Sequence, residues 1–268
     1  MTSATKGPSP RATLLAVGTA AAFVVVPFLF WRGTWFGRPL TDAQIDEYLN
    51  DDAKPRHIQH ALAQISPRIE RGDRTTERWY PRIAHLARHP VPELRVTAAW
   101  AMGQDNRSDA FHQALAGMLR DPEPVARRNA ALGLARFNDP AARPELRAML
   151  RSYTLPAPHG GALRFRLKVG DPVGQGTLLA RVDDGEIRSP LPGKLERKIA
   201  TDGARVAAGD HLLALEPSAD HVWEALRALY LVGTPEDLPD VDRFTQPRRD
   251  WPERIAEQAR LTAGRLRK

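Results

Sequence analysis

The sequence predicts a multidomain α + β chain: an N-terminal transmembrane helix, an α-solenoid, an all-β module and a C-terminal helical pair. Three observations carry that prediction. Ala12–Trp31 runs for twenty residues without a charge, long enough to cross the apolar core of a bilayer. A helical motif that begins at Pro90 returns at Pro122, 32 residues on, and two helices in a period of thirty-odd residues make a solenoid. Tyr153–Leu215 holds two copies of one strand-and-turn pattern. The divisions that follow are a tail (1–11), the membrane helix (12–31), a linker and first helix (32–50), helical repeats (51–152), the β module (153–217) and C-terminal helices (218–268).

A chain of 268 residues with 42% hydrophobic content can build more than one packed core. Its net charge of +7 is unevenly placed: residues 1–40 hold Lys6, Arg11, Arg32 and Arg38 and no acid, so they carry +4 and the rest of the chain +3. The body is therefore a mixed-charge surface without the basic footprint of a nucleic-acid binder. The absence of cysteine excludes disulfides, cysteine-ligated zinc and thiol catalysis. Arg11 and Arg32 bracket the apolar run, with Trp31 and Trp35 at interfacial positions. A signal peptide cut near Thr19–Ala22 is the alternative, but it would leave Phe23–Trp31 as an apolar new terminus. The expectation is an uncleaved anchor through Ala12–Trp31, single-pass in a bacterial inner (cytoplasmic) membrane, with the tail inside and the body periplasmic.

Helical signals start at Thr41. Thr41-Asp-Ala-Gln44 reads as a capping box ahead of Ile45, Tyr48 and Leu49. A weak first repeat places Ile58, Ala61, Leu62 and Ile65 on one helix and Trp79, Ile83 and Leu86 on a second. Pro90–Met102 then matches Pro122–Leu134 at an offset of 32, and Leu115–Arg120 matches Leu146–Arg151 at 31. Pro122 and Pro124 suit a helix start, where a missing N–H costs little. The stretch Asp121-Pro-Glu-Pro-Val-Ala-Arg-Arg-Asn-Ala-Ala-Leu-Gly-Leu-Ala-Arg-Phe-Asn-Asp139 resembles HEAT repeats of the short PBS-lyase-like kind, over residues 51–152. The resemblance implies a solenoid whose second helices form an exposed, partner-binding row.

In the β module the first half runs Pro158, Gly161, Leu163, Leu167, Gly170, Val173, Gly176, Leu179 and Val182. The second runs Pro190, Gly193, Leu195, Ile199, Gly203, Val206, Gly209, Leu212 and Leu215. Apolar residues alternate as in half-buried strands, and the glycines fall where turns need positive φ. Val169-Gly-Asp-Pro-Val-Gly-Gln-Gly-Thr-Leu-Leu-Ala180 and Glu186-Ile-Arg-Ser-Pro-Leu-Pro-Gly193 resemble the biotinyl/lipoyl-type barrel-sandwich hybrid. Carriers of that family hold their cofactor on a lysine at the hairpin between the halves. Here the hairpin Ala180–Ile187 turns at Asp184-Gly185, and no lysine lies between Lys168 and Lys194. The resemblance thus implies no cofactor, as in the undecorated modules of membrane-fusion (periplasmic adaptor) proteins. Beyond it, Ala219–Val232 carries an apolar stripe of Val222, Leu226 and Leu229, and Trp251–Leu266 forms a second helix. This pair either caps the solenoid, making the module an insertion, or trails the module.

His57, His60, His85 and His89 are the only residues with metal-like spacing. Helical wheels turn all four off the apolar stripe, so solvated side chains are expected and a metal site is the lesser alternative. No nucleophile–base order, phosphate-binding glycine loop or paired-carboxylate motif is present. Partner contacts are expected at the seam of solenoid and module, at Arg120, Arg151, Asp183 and Asp184. The expected function is a membrane-anchored, non-enzymatic scaffold or adaptor that binds other proteins, subunits of a bacterial envelope complex. One alternative is a periplasmic adaptor-like component of a transport or secretion system, against which only Asp183–Glu186 joins the β halves. The other is a lyase-like HEAT enzyme or a cofactor carrier, against which the missing motifs and lysine count.

Overall fold

The computed structural model describes residues 39–268. Ala12–Trp31 lies outside the described residues; among those described, no helix is long and apolar enough to cross a membrane. The chain divides into two units, residues 1–64 and 65–268. In the first, α1 (Asp42–Leu49) opens on the capping box expected of it: the Gln44 amide donates to Thr41 Oγ1 at 3.3 Å, and Gln44 Oε1 accepts from the Thr41 amide at 3.0 Å. At the start of α2 (Pro55–Glu70), the His57 ring stacks on Tyr48 at 4.1 Å and lies 2.7 Å from the Asp51 carboxylate. His57 and His60 are therefore buried, against the expectation of solvated side chains. A wheel drawn on α2 alone does not show that Tyr48 of α1 covers that flank.

The second unit carries α3 (Tyr80–His85), α4 (Pro92–Met102), α5 (Asp109–Met118), α6 (Pro124–Arg136) and α7 (Arg143–Met149). The 32-residue offset is reproduced atom by atom. Arg95 Nη1 donates to the carbonyls of His89 and Pro90 at 3.0 and 3.3 Å, and Arg127 Nη1 to those of Asp121 and Pro122 at 2.7 and 3.3 Å. Each arginine thus holds the loop that leads into its own helix. Small residues let α4 and α6 approach: a Cβ on Gly133 would meet Gly103 Cα at 3.2 Å and Leu115 Cδ1 at 2.9 Å. Leu94, Ala98, Met102, Leu115, Ala130 and Leu134 are fully buried between these helices.

After α7 the chain enters the β module: β1 (Tyr153–Pro156), β2 (Gly161–Phe165), β3 (Pro172–Val173), β4 (Leu178–Val182), β5 (Gly185–Arg188), β6 (Gly193–Lys198), β7 (Arg205–Val206) and β8 (His211–Pro217). They form two four-stranded sheets, β1-β8-β6-β3 and β5-β4-β2-β7, with every pairing antiparallel. The sequence halves exchange strands: β3 of the first half joins the sheet of the second, and β7 of the second joins the sheet of the first. Equivalent glycines make equivalent turns, at φ 93° for Gly170 and 81° for Gly203, and 79° for Gly176 and 88° for Gly209, backbone that side chains disfavour. Leu163, Leu195, Leu179, Leu212, Val182 and Leu215 fill one shared core. The hairpin between β4 and β5 turns one residue earlier than expected. Val182 pairs with Gly185, so the loop is Asp183-Asp184, and Asp183 takes φ 48°, which Asp tolerates better than most side chains.

The helices resume as α8 (Ala219–Val232), α9 (Leu238–Asp242) and α10 (Glu253–Leu266). α8 packs on α6 and α7, and α10 on α8, with Val222, Leu226 and Leu229 fully buried. The module is thus an insertion, and the array continues beyond it. Its two ends lie together, because Tyr153 pairs with Leu215. Replacing residues 153–217 by a link of about four Gly/Ser residues should therefore leave α4–α8 folded. Helical circular dichroism reads this, and a loss beyond the excised residues would show one indivisible core.

His221 on α8 accepts from Arg128 Nη1 of α6 at 2.8 Å. Burial, reinforced by the Arg128 charge, lowers its pKa from the ordinary 6.5 to about 4. The unfolded chain takes up this proton near pH 6.5, while the folded chain refuses it until near pH 4. The associated stability is therefore complete above pH 6.5 and declines as the pH falls toward 4. Between pH 7 and 5, wild type should lose more denaturant resistance than His221→Asn, whose amide oxygen can accept the same bond. Equal losses would remove His221 as the cause.

Candidate partner-binding groove

α4, α6, α8 and α10 stand side by side and together line a groove of about 520 Å³. It forms because each helix spends its smallest residues on its neighbour. With Gly103 and Gly133 at the helix contact, larger side chains nearby, Trp100 and Leu132, stand at the rim. Trp100 and Leu132 occupy the same place in successive repeats, and α8 and α10 add Tyr230, Leu231 and Leu261. Trp100, Tyr230, Leu231 and Leu261 are 45%, 43%, 45% and 62% exposed, an apolar concentration that a soluble surface seldom leaves uncovered.

Charged groups frame this strip. Arg136 Nη1 donates to the Gly103 carbonyl at 2.6 Å and to Gln104 Oε1 at 3.0 Å, tying the ends of α4 and α6. Burial raises the Glu224 carboxyl above the usual carboxylate range, with Asp220 adding to the effect and Arg227 opposing it. The Arg227 guanidinium lies 4.5 Å from the centre of the Trp223 ring. A wall of helix-borne aromatic and aliphatic side chains with a few fixed charges suits an extended or helical protein segment.

The groove lies on the row of proline-started helices α4 and α6, not on the row of second helices expected from the repeat. The signal was Trp100, a large side chain next to buried Ala99 and Ala101. None of the expected partner residues lines it. Arg120 is exposed at the end of α5. Asp183 is committed internally: its Oδ1 accepts from the Ala162 amide at 2.9 Å. Asp184 is exposed on the turn. His85 is exposed and His89 Nδ1 accepts from the Val91 amide at 3.1 Å. Among the described residues no group of three or more His, Asp and Glu side chains is arranged to hold a metal ion.

Arg151 is engaged within the chain. Nε and Nη2 clasp both oxygens of Asp240 at 2.7 and 2.6 Å, and Arg143 similarly holds Asp237 and reaches Thr234. These pairs pin α7 to the segment around α9, which gives Arg151 a structural contact.

A family model for HEAT repeats matches residues 80–155, from α3 through the start of β1. No curated protein matches the chain. The helical array is HEAT-like, and HEAT repeats generally mediate contacts between proteins.

Reversing Arg151 to Glu should destabilise the fold, since it leaves the buried Asp240 carboxylate facing a like charge. Removing one partner of a fully buried pair costs roughly 3–5 kcal/mol; Arg151 is half exposed, so about 2 kcal/mol is expected, or a Tm lower by about 4–8 °C. Arg151→Glu combined with Asp240→Arg should recover most of it in thermal unfolding. No recovery would mean the pair is not the cause.

Proposed function

We propose that this chain is a membrane-anchored, non-enzymatic scaffold whose helical groove binds a segment of another protein, a subunit of a bacterial envelope complex. The observation that carries the reading is the groove itself: a continuous apolar strip from Trp100 to Leu261 on four helices of a HEAT-like array. Rigid helices present this strip ready-formed, which limits the ordering cost of association. Ala12–Trp31 would supply the anchor, single-pass with the body in the periplasm. The repeats are read as the short PBS-lyase-like kind. The β module is read as a biotinyl/lipoyl-like barrel-sandwich hybrid without its cofactor lysine. Strand exchange between two like halves and the Asp183-Asp184 tip support that reading.

A second reading, an adaptor-like component of a transport or secretion system, is favoured by the same lysine-free module. The test separates the two surfaces. The full-length chain is solubilised from membranes, and co-purifying proteins are compared for wild type, a Trp100→Glu/Leu261→Glu variant, and a module variant, Asp184→Lys. Both altered sites are exposed, so stability should change by only about 0.5 kcal/mol per site. Loss of an aromatic anchor and its neighbour should cut recovery of a specific partner at least tenfold, as at interface hot spots. The module variant should retain it. Full recovery by the groove variant would refute the groove, and loss only with Asp184→Lys would move the partner surface to the module. Resistance to carbonate extraction, lost on deletion of residues 1–36, tests the anchor; a mature protein beginning near Phe23 would refute it.

A further inference from the structure

The repeat breaks off at a chemically specific point. In the complete repeat, Arg95 grips both oxygens of Asp121, at 2.7 and 2.9 Å, a residue just after α5. Arg127 reproduces the backbone contacts of Arg95 one repeat later. Counting 31 residues on from Asp121, as Arg120 answers to Arg151, gives Ser152, where the chain departs for β1. Arg127 Nε instead reaches Glu145, at a longer 3.3 Å.

At this point lies an open cavity of about 450 Å³, lined among others by Arg127, Arg128, Arg147, Arg151, Ser152 and Tyr153. Three of the four arginines have acids: Arg127 has Glu145, Arg147 lies 3.6 Å from Asp237, and Arg151 holds Asp240. Arg128 makes no ion pair of its own among the described residues; the carboxylate that acts on it is Glu145, which Arg127 already holds. It is 4% exposed, its Nη1 donates to His221, and its Nε is buried with no acceptor. Burial lowers the guanidinium to about 10 and holds His221 neutral, so the imidazole supplies no negative charge. A buried cation that only shares the counter-charge of its neighbour is unfavourable. The N-terminal turn of α6, which ends at Arg127 just before Arg128, adds its positive dipole end.

We propose that this cavity binds a single carboxylate, gripped by Arg127 and Arg128 in the way Arg95 grips Asp121. Two guanidiniums sharing one carboxylate, Glu145, leave room for one more negative charge, and planar guanidinium–carboxylate pairing is the solution the preceding repeat already uses. A free small carboxylic acid and the acidic end of a partner peptide share this chemistry. The site is separate from the apolar groove and does not depend on what binds there.

The experiment uses the full-length chain in an uncharged detergent at pH 7.5 and fixed ionic strength, by thermal unfolding and calorimetric titration. The probes are sodium acetate, a short peptide ending in Glu with a free carboxyl terminus, and sodium phosphate, against sodium chloride. Acetate and the peptide should each raise Tm above the chloride control. Ser152→Asp returns the repeat's own acid to its place. It should raise Tm without added carboxylate and weaken carboxylate binding at least tenfold. Arg128→Met, which keeps the apolar stem, should abolish binding; where that variant does not fold, Ser152→Asp decides. Peptide binding tenfold tighter than acetate assigns the carboxylate to a partner, and similar affinities assign it to a free acid. A Tm shift no larger than that of chloride, phosphate binding tighter than both carboxylates, or unchanged binding in Ser152→Asp overturns the proposal.

Discussion

The contact of α8 with α6 and α7 is the constraint on which residues 65–268 depend. A β module of 65 residues, 153–217, separates these helices in sequence, and the buried stripe of Val222, Leu226 and Leu229 brings the chain back into its array, with Arg143, Arg151 and Arg128 bonded across the gap. Burying three such side chains is worth about 1.5–3 kcal/mol each before entropic costs. That is of the order of a typical domain's net stability, so the return is specified rather than incidental. The closure entropy of the intervening loop is small, because the module orders itself and delivers its ends side by side through the Tyr153–Leu215 pair.

The module can behave as such a closed insert because its halves are incomplete alone. With β3 and β7 exchanged, each half would leave one sheet short of a strand and expose an unpaired edge, the arrangement that invites aggregation. Together they close one core from matched residues, Leu163 with Leu195 and Leu179 with Leu212. The ion pairs at its border then fix orientation: Lys194 and Arg248 bridge Glu216 and Asp250, joining β6 and β8 to the segment before α10. Pairs this exposed add little stability; their role is geometric.

Much of this was legible in the sequence. The 32-residue offset placed the helices of the repeat, since Pro92 and Pro124 both begin helices, and α8 spans the stretch read as amphipathic. Local chemistry decided these elements: prolines, glycines and apolar period. What was not legible depends on residues far apart. Arg151 finds Asp240 across the insertion, 89 positions away. His57 is buried by Tyr48, a residue of a different helix. The hairpin slipped by one residue because Asp183 itself supplies the positive φ, where Gly185 was the more obvious candidate. The groove was missed because a period shows that two helix rows exist but not which one a neighbouring helix will leave uncovered.

That last point follows from where the insertion departs. The chain leaves the array after α7, a member of the α3, α5, α7 row, and none of the groove-lining residues belongs to the module. The opposite row therefore passes from α4 through α6 to α8 and α10 without interruption. Had the module been inserted after a helix of the groove row, it would have cut the strip between Leu132 and Tyr230. The repeat's small residues act in the same direction: Gly103 and Gly133 draw α4 and α6 close, which sets Trp100 and Leu132 near enough to form one surface. The two features that the insertion might have cost the array, helix continuity and a continuous apolar face, are thus kept by the same choice of exit point. Its one local consequence falls at Ser152, where an acid of the repeat gives way to the first residue before β1.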